Sequence, residues 1–190
     1  MTTSHTPAPV VPKAAGGFPH LRGRRVLVGV PGLGWRADLR ADDPVVHGSR
    51  TYIPILTEQD YYRAETEQME VFAPLVPIDR VWVEHIPDRH DPAFTTFSTG
   101  AGERQPVTLD APPARAAVPA LLAEPVMGRR LVQVVPDGDV RDLRGVTEVY
   151  RNAEGVSCVR VCGEAEWYRW ALSGTTPSTV EVNANVVWLE

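Results

Sequence analysis

The residues able to carry chemistry are few and dispersed. The densest set of metal-ligand types is His85, Asp88, His90 and Asp91 in HIPDRHD. A divalent metal needs such groups converging within about 2.0–2.2 Å. Their spacing matches no established ligand pattern, and a solvated connecting segment accounts for them; no metal is expected. Cys158 and Cys162 are four residues apart. On a strand this places them about 13 Å apart on one face, beyond reach of a mutual disulfide, so they read as packing residues. The glycine-containing runs Gly32-Leu33-Gly34 and Ser98-Thr99-Gly100-Ala101-Gly102 lack the helix start and GK[ST] ending of a phosphate loop, and both read as turns. No GxSxG occurs, and five scattered histidines give no acid–base set. No catalytic residue and no cofactor are expected, and an enzyme is the weaker alternative.

The elements that must position any site come from an internal repeat. Gly23–Glu84 and Gly128–Glu190 can be laid over each other. Both open on Gly-Arg-Arg, in GRRVLVGVP and GRRLVQVVP, and continue through Asp-Leu-Arg at Asp38–Arg40 and Asp142–Arg144. Extended runs follow, YIPIL and CVRVC, then acidic and aromatic segments, TEQDYYRAE and GEAEWYRWA. Each copy closes on a strand, RVWVE or VVWLE. One single-residue gap before Asp-Leu-Arg aligns Arg36 with Arg141 and brings about a quarter of positions into identity.

The repeated blocks translate into elements. Val26, Val28 and Val30 share one face of a first strand and Leu27 the other, with Leu131, Val135 and Val132 at the matching places, so both faces should be buried. Leu39 and Leu143 point inward from a second strand, while Asp38 with Arg40, and Asp142 with Arg144, should form solvated ion pairs on its outer face. Ile53 and Ile55, or Val159 and Val161, supply a third strand. Thr57 with Asp60 signals a helix start, Gly163 with Glu166 a weaker one, and Gly174 a helix end about ten residues on. The fold class is therefore α+β, mainly β: a duplicated unit of about 62 residues in the order β-β-β-α-β. It is similar to SH3-like small barrels. Because about sixty residues make a marginal lone domain, the copies should pack as a pseudo-symmetric pair.

The domain reading is a disordered tail over 1–22, a first repeat over 23–84, a proline-rich linker over 85–127 and a second repeat over 128–190. Only Ala114–Glu124 within the linker can make a short helix. The 190 residues are 43% hydrophobic and 23% charged, with net charge −5 and no apolar run long enough for a membrane span. The start of the chain has no secretory pattern, so a cytoplasmic protein with no membrane partner is expected. Lys13 is the only lysine, an arginine bias of the kind a GC-rich, actinobacterium-like genome encodes.

Two sets of residues recur in both copies and carry the functional expectation. The first is aromatic: Tyr61, Tyr62, Trp167, Tyr168 and Trp170 lie on the short helices, and large aromatics dominate protein interfaces. The second is basic: Arg24, Arg25 and Arg40 match Arg129, Arg130 and Arg144, a set that would serve nucleic acid or another polyanion. Alternatively these arginines pair with acids and cover apolar edges with their stems. The leading expectation is a non-enzymatic interaction or regulatory module with an unidentified protein partner. Polyanion binding, and a small-molecule or enzymatic site in a cleft between the repeats, are the alternatives.

Overall fold

The computed structural model describes residues 6–87 and 111–190. It divides into two compact units: Val10–Ala114, and Arg115–Glu190 together with the N-terminal residues up to Pro9. Both are mainly β, each a curled antiparallel sheet with one α-helix among the described residues.

In the first unit the strands are β1 (Val11–Ala14), β2 (Arg25–Val30), β3 (Gly34–Ala41), β4 (Val45–His47) and β5 (Arg50–Thr57). Helix α1 (Glu58–Glu67) follows, then β6 (Leu75–Pro77) and β7 (Val81–His85). They pair in the order β1-β7-β2-β3-β5-β4, with β6 on β5. The second unit repeats every step with β8 (Val118–Pro119), β9 (Arg130–Val135), β10 (Gly138–Gly145), β11 (Tyr150–Arg151) and β12 (Ser157–Gly163). Helix α2 (Glu164–Ser173), β13 (Val180–Asn183) and β14 (Val187–Leu189) complete it. Its order is β8-β14-β9-β10-β12-β11, with β13 on β12. A single 3₁₀ turn, Ile78–Arg80 or Ala184–Val186, precedes the closing strand of each.

The repeat thus begins earlier than its Gly-Arg-Arg signature. The segment expected as a disordered tail carries β1, antiparallel to β7, and β8 takes the same place on β14. Leu21 and its counterpart Val126 are buried behind these strands. As edge strands, β1 and β8 need only one row of ladder bonds, which is why Pro12 and Pro119 are tolerated in them. The short helix expected over Ala114–Glu124 is limited to the 3₁₀ turn Ala120–Leu122. Most of the expected linker lies outside the described residues, as do Asp88, His90, Asp91 and the Ser98–Gly102 turn.

The helix signals act as expected. The Thr57 hydroxyl accepts from Asp60 N–H, whereas Gly163 gives α2 no side-chain cap, and Gly174 closes α2 at φ 72°. Val26 and Leu27 are both buried, as are Leu131 and Val132, so this strand is covered on both faces in each unit. Gly32-Leu33-Gly34 is the β2–β3 turn, with Leu33 N–H donating to the Val30 carbonyl.

The ladder corrects the sequence alignment at Asp-Leu-Arg. In both units one residue of the first strand faces two of the second, a bulge opposite Leu27 and opposite Val132. Asp38 and Asp142 occupy it at φ 58° and 60°. Aspartate is among the few non-glycine residues that accept this left-handed conformation. No gap is needed: Arg36 matches Val140, and Arg141 matches Ala37. Arg40 and Arg144, expected on a solvated outer face, are instead drawn into a buried arrangement with Glu58 and Glu164.

Candidate functional site

Four of the six arginines expected to bind anions are committed internally. Arg25 and Arg40 are directly opposite on β2 and β3, as are Arg130 and Arg144 on β9 and β10. Like charges facing each other across a ladder repel. The first helical residue resolves this. Glu58 sits 3.1 Å from Arg25 Nε and 3.3 Å from Arg40 Nε, and Glu164 sits 2.9 Å from Arg144 and 3.7 Å from Arg130 Nε. Both glutamates are only 1% exposed. The Arg40 guanidinium also donates to the Gly23 carbonyl at 2.8 Å and the Tyr62 hydroxyl at 3.0 Å. Arg144 repeats this with Gly128 at 3.0 Å and Tyr168 at 2.9 Å. These guanidinium groups form a buried clamp that pins a helix start to the sheet and draws them away from solvent, where an external phosphate would have to meet them. Arg24 and Arg129 remain exposed; Arg24 donates to the His20 carbonyl and lies over the Phe18 ring.

The aromatic candidates fall largely into the same clamp. Tyr62 and Tyr168 are its hydroxyl arms. Tyr61 and Trp167 lie over Gly23 and Gly128, whose missing Cβ atoms would stand 3.1 Å from the Tyr61 hydroxyl and 3.4 Å from the Trp167 ring. Tyr61 stacks edge-on against Tyr62 at 5.3 Å, and Trp167 against Trp170 at 5.2 Å. All five are half-buried, so they fasten helix to sheet as well as meeting solvent. Cys158 and Cys162 are buried free thiols; burial, with Glu166 nearby, pushes the Cys162 thiol up to about 11. The second unit has a cleft of about 510 Å³ beside Leu121, Pro125, Val126 and Glu148. Glu148 is already engaged, accepting from Val126 and Met127 N–H. Asp43 does the same for Leu21 and Arg22 in the first unit, and these donors hold its carboxyl below the usual range.

The units differ at one exposed end, formed by β4, β5 and β6 or by β11, β12 and β13. In the second unit Tyr150, Arg160 and Glu181 form a closed polar network. The Tyr150 hydroxyl bonds the Glu181 carboxylate, Arg160 Nε donates to the Tyr150 hydroxyl at 3.4 Å, and Asn152 Nδ2 donates to Glu181 at 3.2 Å. These contacts hold the Glu181 carboxyl below its usual range, Tyr150 first among them. Register places Val45, Pro54 and Leu75 at the same three positions of the first unit. The apolar trio has solvent exposure, with Leu75 at 50%, and the segment entering β6 adds Met69 and Phe72, the latter 88% exposed. Single exposed apolar residues are ordinary; several on adjoining strands and the segment between them are not. Sequence reading missed this end because its signal is a difference between the copies, whereas the repeat drew attention to what they share.

Among the described residues no group of three or more His, Cys, Asp or Glu is placed to hold a metal ion, and no helix is long and apolar enough to cross a membrane. No family model matches the chain, and neither a curated protein nor a solved structure matches it.

Proposed function

We propose that this chain is a non-enzymatic protein-interaction module of two SH3-like β-rich units, in which the first unit binds a protein segment through the β4–β6 end. The observation that carries the reading is the replacement of a closed Tyr150–Arg160–Glu181 network by Val45, Pro54 and Leu75 at the same positions of the duplicated fold. Leaving this trio in water has a cost of about 25 cal/mol per Å² of apolar surface, which a partner would recover. The adjoining helix and its exit carry Asp60, Glu65, Glu67 and Glu70 against Arg63. The surroundings of the apolar surface are therefore acidic, which favours a segment presenting apolar side chains beside lysine or arginine.

The duplication supplies the test. A triple variant, Val45→Tyr with Pro54→Arg and Leu75→Glu, transplants the second unit's network into the first and preserves the fold. Tagged wild type and variant are recovered from the native host at low salt and their bound proteins quantified. A stoichiometric protein held by the wild type, lost from the variant and weakened by salt supports the reading. Equal recovery by both chains, or no protein on either, overturns it.

A further inference from the structure

The N-terminal residues do not pack with the β1 strand they lead into. Residues 6–9 belong to the second unit, where Pro7 and Ala8 are buried, Ala8 to 3% exposure. Both backbone polar groups of Ala8 are taken up there. Its N–H donates to Asp139 Oδ2 at 3.2 Å, and its carbonyl accepts from Arg141 Nη2 at 2.7 Å. Arg141 is set for this by Asp139, 3.3 Å from the same nitrogen, and by Glu190, which bonds its other terminal nitrogen. The three side chains are 9%, 12% and 3% exposed for Asp139, Arg141 and Glu190, so this is a desolvated polar cradle at the end of β14 and the start of β10.

The bound segment has the chemistry the cradle selects. Pro7 and Pro9 lack N–H groups and hold the chain extended, so Ala8 is the one donor between them. Reading both main-chain groups of one residue, with the flanking side chains in contact, is how extended peptides are recognised. The buried Ala8 position accepts only a small side chain.

The fold does not require this cradle. Register places Trp35 and Ala37 of the first unit where the second has Asp139 and Arg141, while Glu84 matches Glu190. A device needed to close the sheet would be present in both copies. Asp139 and Arg141 stand at these positions in the second unit alone, where they hold the N–H and carbonyl of Ala8, with Glu190 bonded to Arg141.

We propose that the Asp139–Arg141–Glu190 cradle is a peptide-recognition site for an extended segment of the form proline, small residue, proline, filled in the resting chain by its own Pro7-Ala8-Pro9. The segment is attached through one residue's pair of hydrogen bonds, so it opens at far lower cost than the sheet. A second peptide of the same form then competes for the site. This inference concerns a different unit and a different surface from the β4–β6 end, and either can fail without the other.

The probe is a fluorescein-labelled peptide with the sequence of residues 6–11, TPAPVV, added to the full-length chain. In the wild type the tethered segment acts at an effective concentration of order mM, so the peptide binds at least tenfold more weakly than to a chain whose own segment is displaced. Ala8→Arg makes that chain, since the larger side chain has no room at position 8. Anisotropy should show saturable binding to Ala8→Arg, at least tenfold weaker binding to wild type, and none when Ala8→Arg is combined with Arg141→Ala. Absence of binding to the Ala8→Arg chain overturns the proposal. Amide exchange on the wild type gives an independent reading. The Ala8 N–H should be protected and should lose protection with excess unlabelled TPAPVV. An Ala8 amide exchanging at the free-peptide rate refutes the cradle, and one unmoved by the peptide refutes the competition.

Discussion

Glu164→Ala is the sharpest test of how these units are held together. Glu164 is 1% exposed and lies between Arg130 and Arg144, whose own side chains are 6% and 9% exposed. Removing the carboxylate leaves two guanidinium groups facing each other across β9 and β10 without the buried charge between them and with little water. Breaking a buried pair from one side costs about 3–5 kcal/mol, because the remaining charge stays desolvated. That is a large part of the roughly 5–15 kcal/mol that stabilises a typical domain. With a urea dependence of about 2 kcal/mol per M, a loss of about 4 kcal/mol lowers the unfolding midpoint by about 2 M. Tryptophan fluorescence reports it, since Trp167, Trp170 and Trp188 all belong to the second unit. Glu164→Gln keeps the shape and one acceptor and should fall between wild type and Glu164→Ala. Replacing Arg130, Glu164 and Arg144 together by Met, Leu and Met should restore most of the loss, as buried ion sets exchange for apolar ones near neutrally. A midpoint shift under about 0.5 M for Glu164→Ala would refute the clamp as the fastener of α2.

Other outcomes follow from single contacts. Gly145→Ala should destabilise the second unit by about 1–3 kcal/mol in the same urea assay, because the new Cβ would stand 2.5 Å from the Val126 carbonyl oxygen, which is backbone and has little freedom to yield. Cys158 and Cys162 should be inert to a chromogenic disulfide reagent at about pH 8 while the chain is folded, Cys162 having a thiol raised to about 11, and both should react once it is unfolded. Asp43, its pKa lowered by donation from Leu21 and Arg22 N–H, adds stability that is fully present above the unfolded-chain value and is lost as pH falls through the lower folded value. Asp43→Asn should therefore flatten the acid limb of the first unit's pH–stability curve; an unchanged limb would remove Asp43 from that role.

The legible part of the fold was local. Thr57 and Gly174 mark helix ends through their own backbone and side-chain geometry, and alternation along Ile53–Ile55 and Val159–Val161 marks strands by which face is wet. β1 and β8 were hidden because an edge strand of two to four residues containing proline has no alternation to read; only β7 and β14, some seventy residues later in the chain, give them a partner. The Asp-Leu-Arg motif was visible and its physics was not. Its aspartate answers a bulge, its leucine faces the core and its arginine reaches a glutamate that begins a helix 18 or 20 residues on.

The sequence by itself determined that the chain is built twice from one unit, that each unit is mainly β with a short capped helix, and which residue types the copies share. Those conclusions need only periodicity, capping chemistry and comparison of one segment with another. Tertiary structure decided what the shared residues do. Arg40 and Arg144 could have faced phosphate or carboxylate, and only the pairing of β2 with β3 and β9 with β10 puts each beside a second arginine under one buried glutamate. It also decided where the units part: Val45, Pro54 and Leu75 against Tyr150, Arg160 and Glu181, and Ala8 bound between Asp139 and Arg141. Such meetings depend on which distant segments the ladder brings side by side, and a charge or an apolar side chain acquires its role from the partner it meets there.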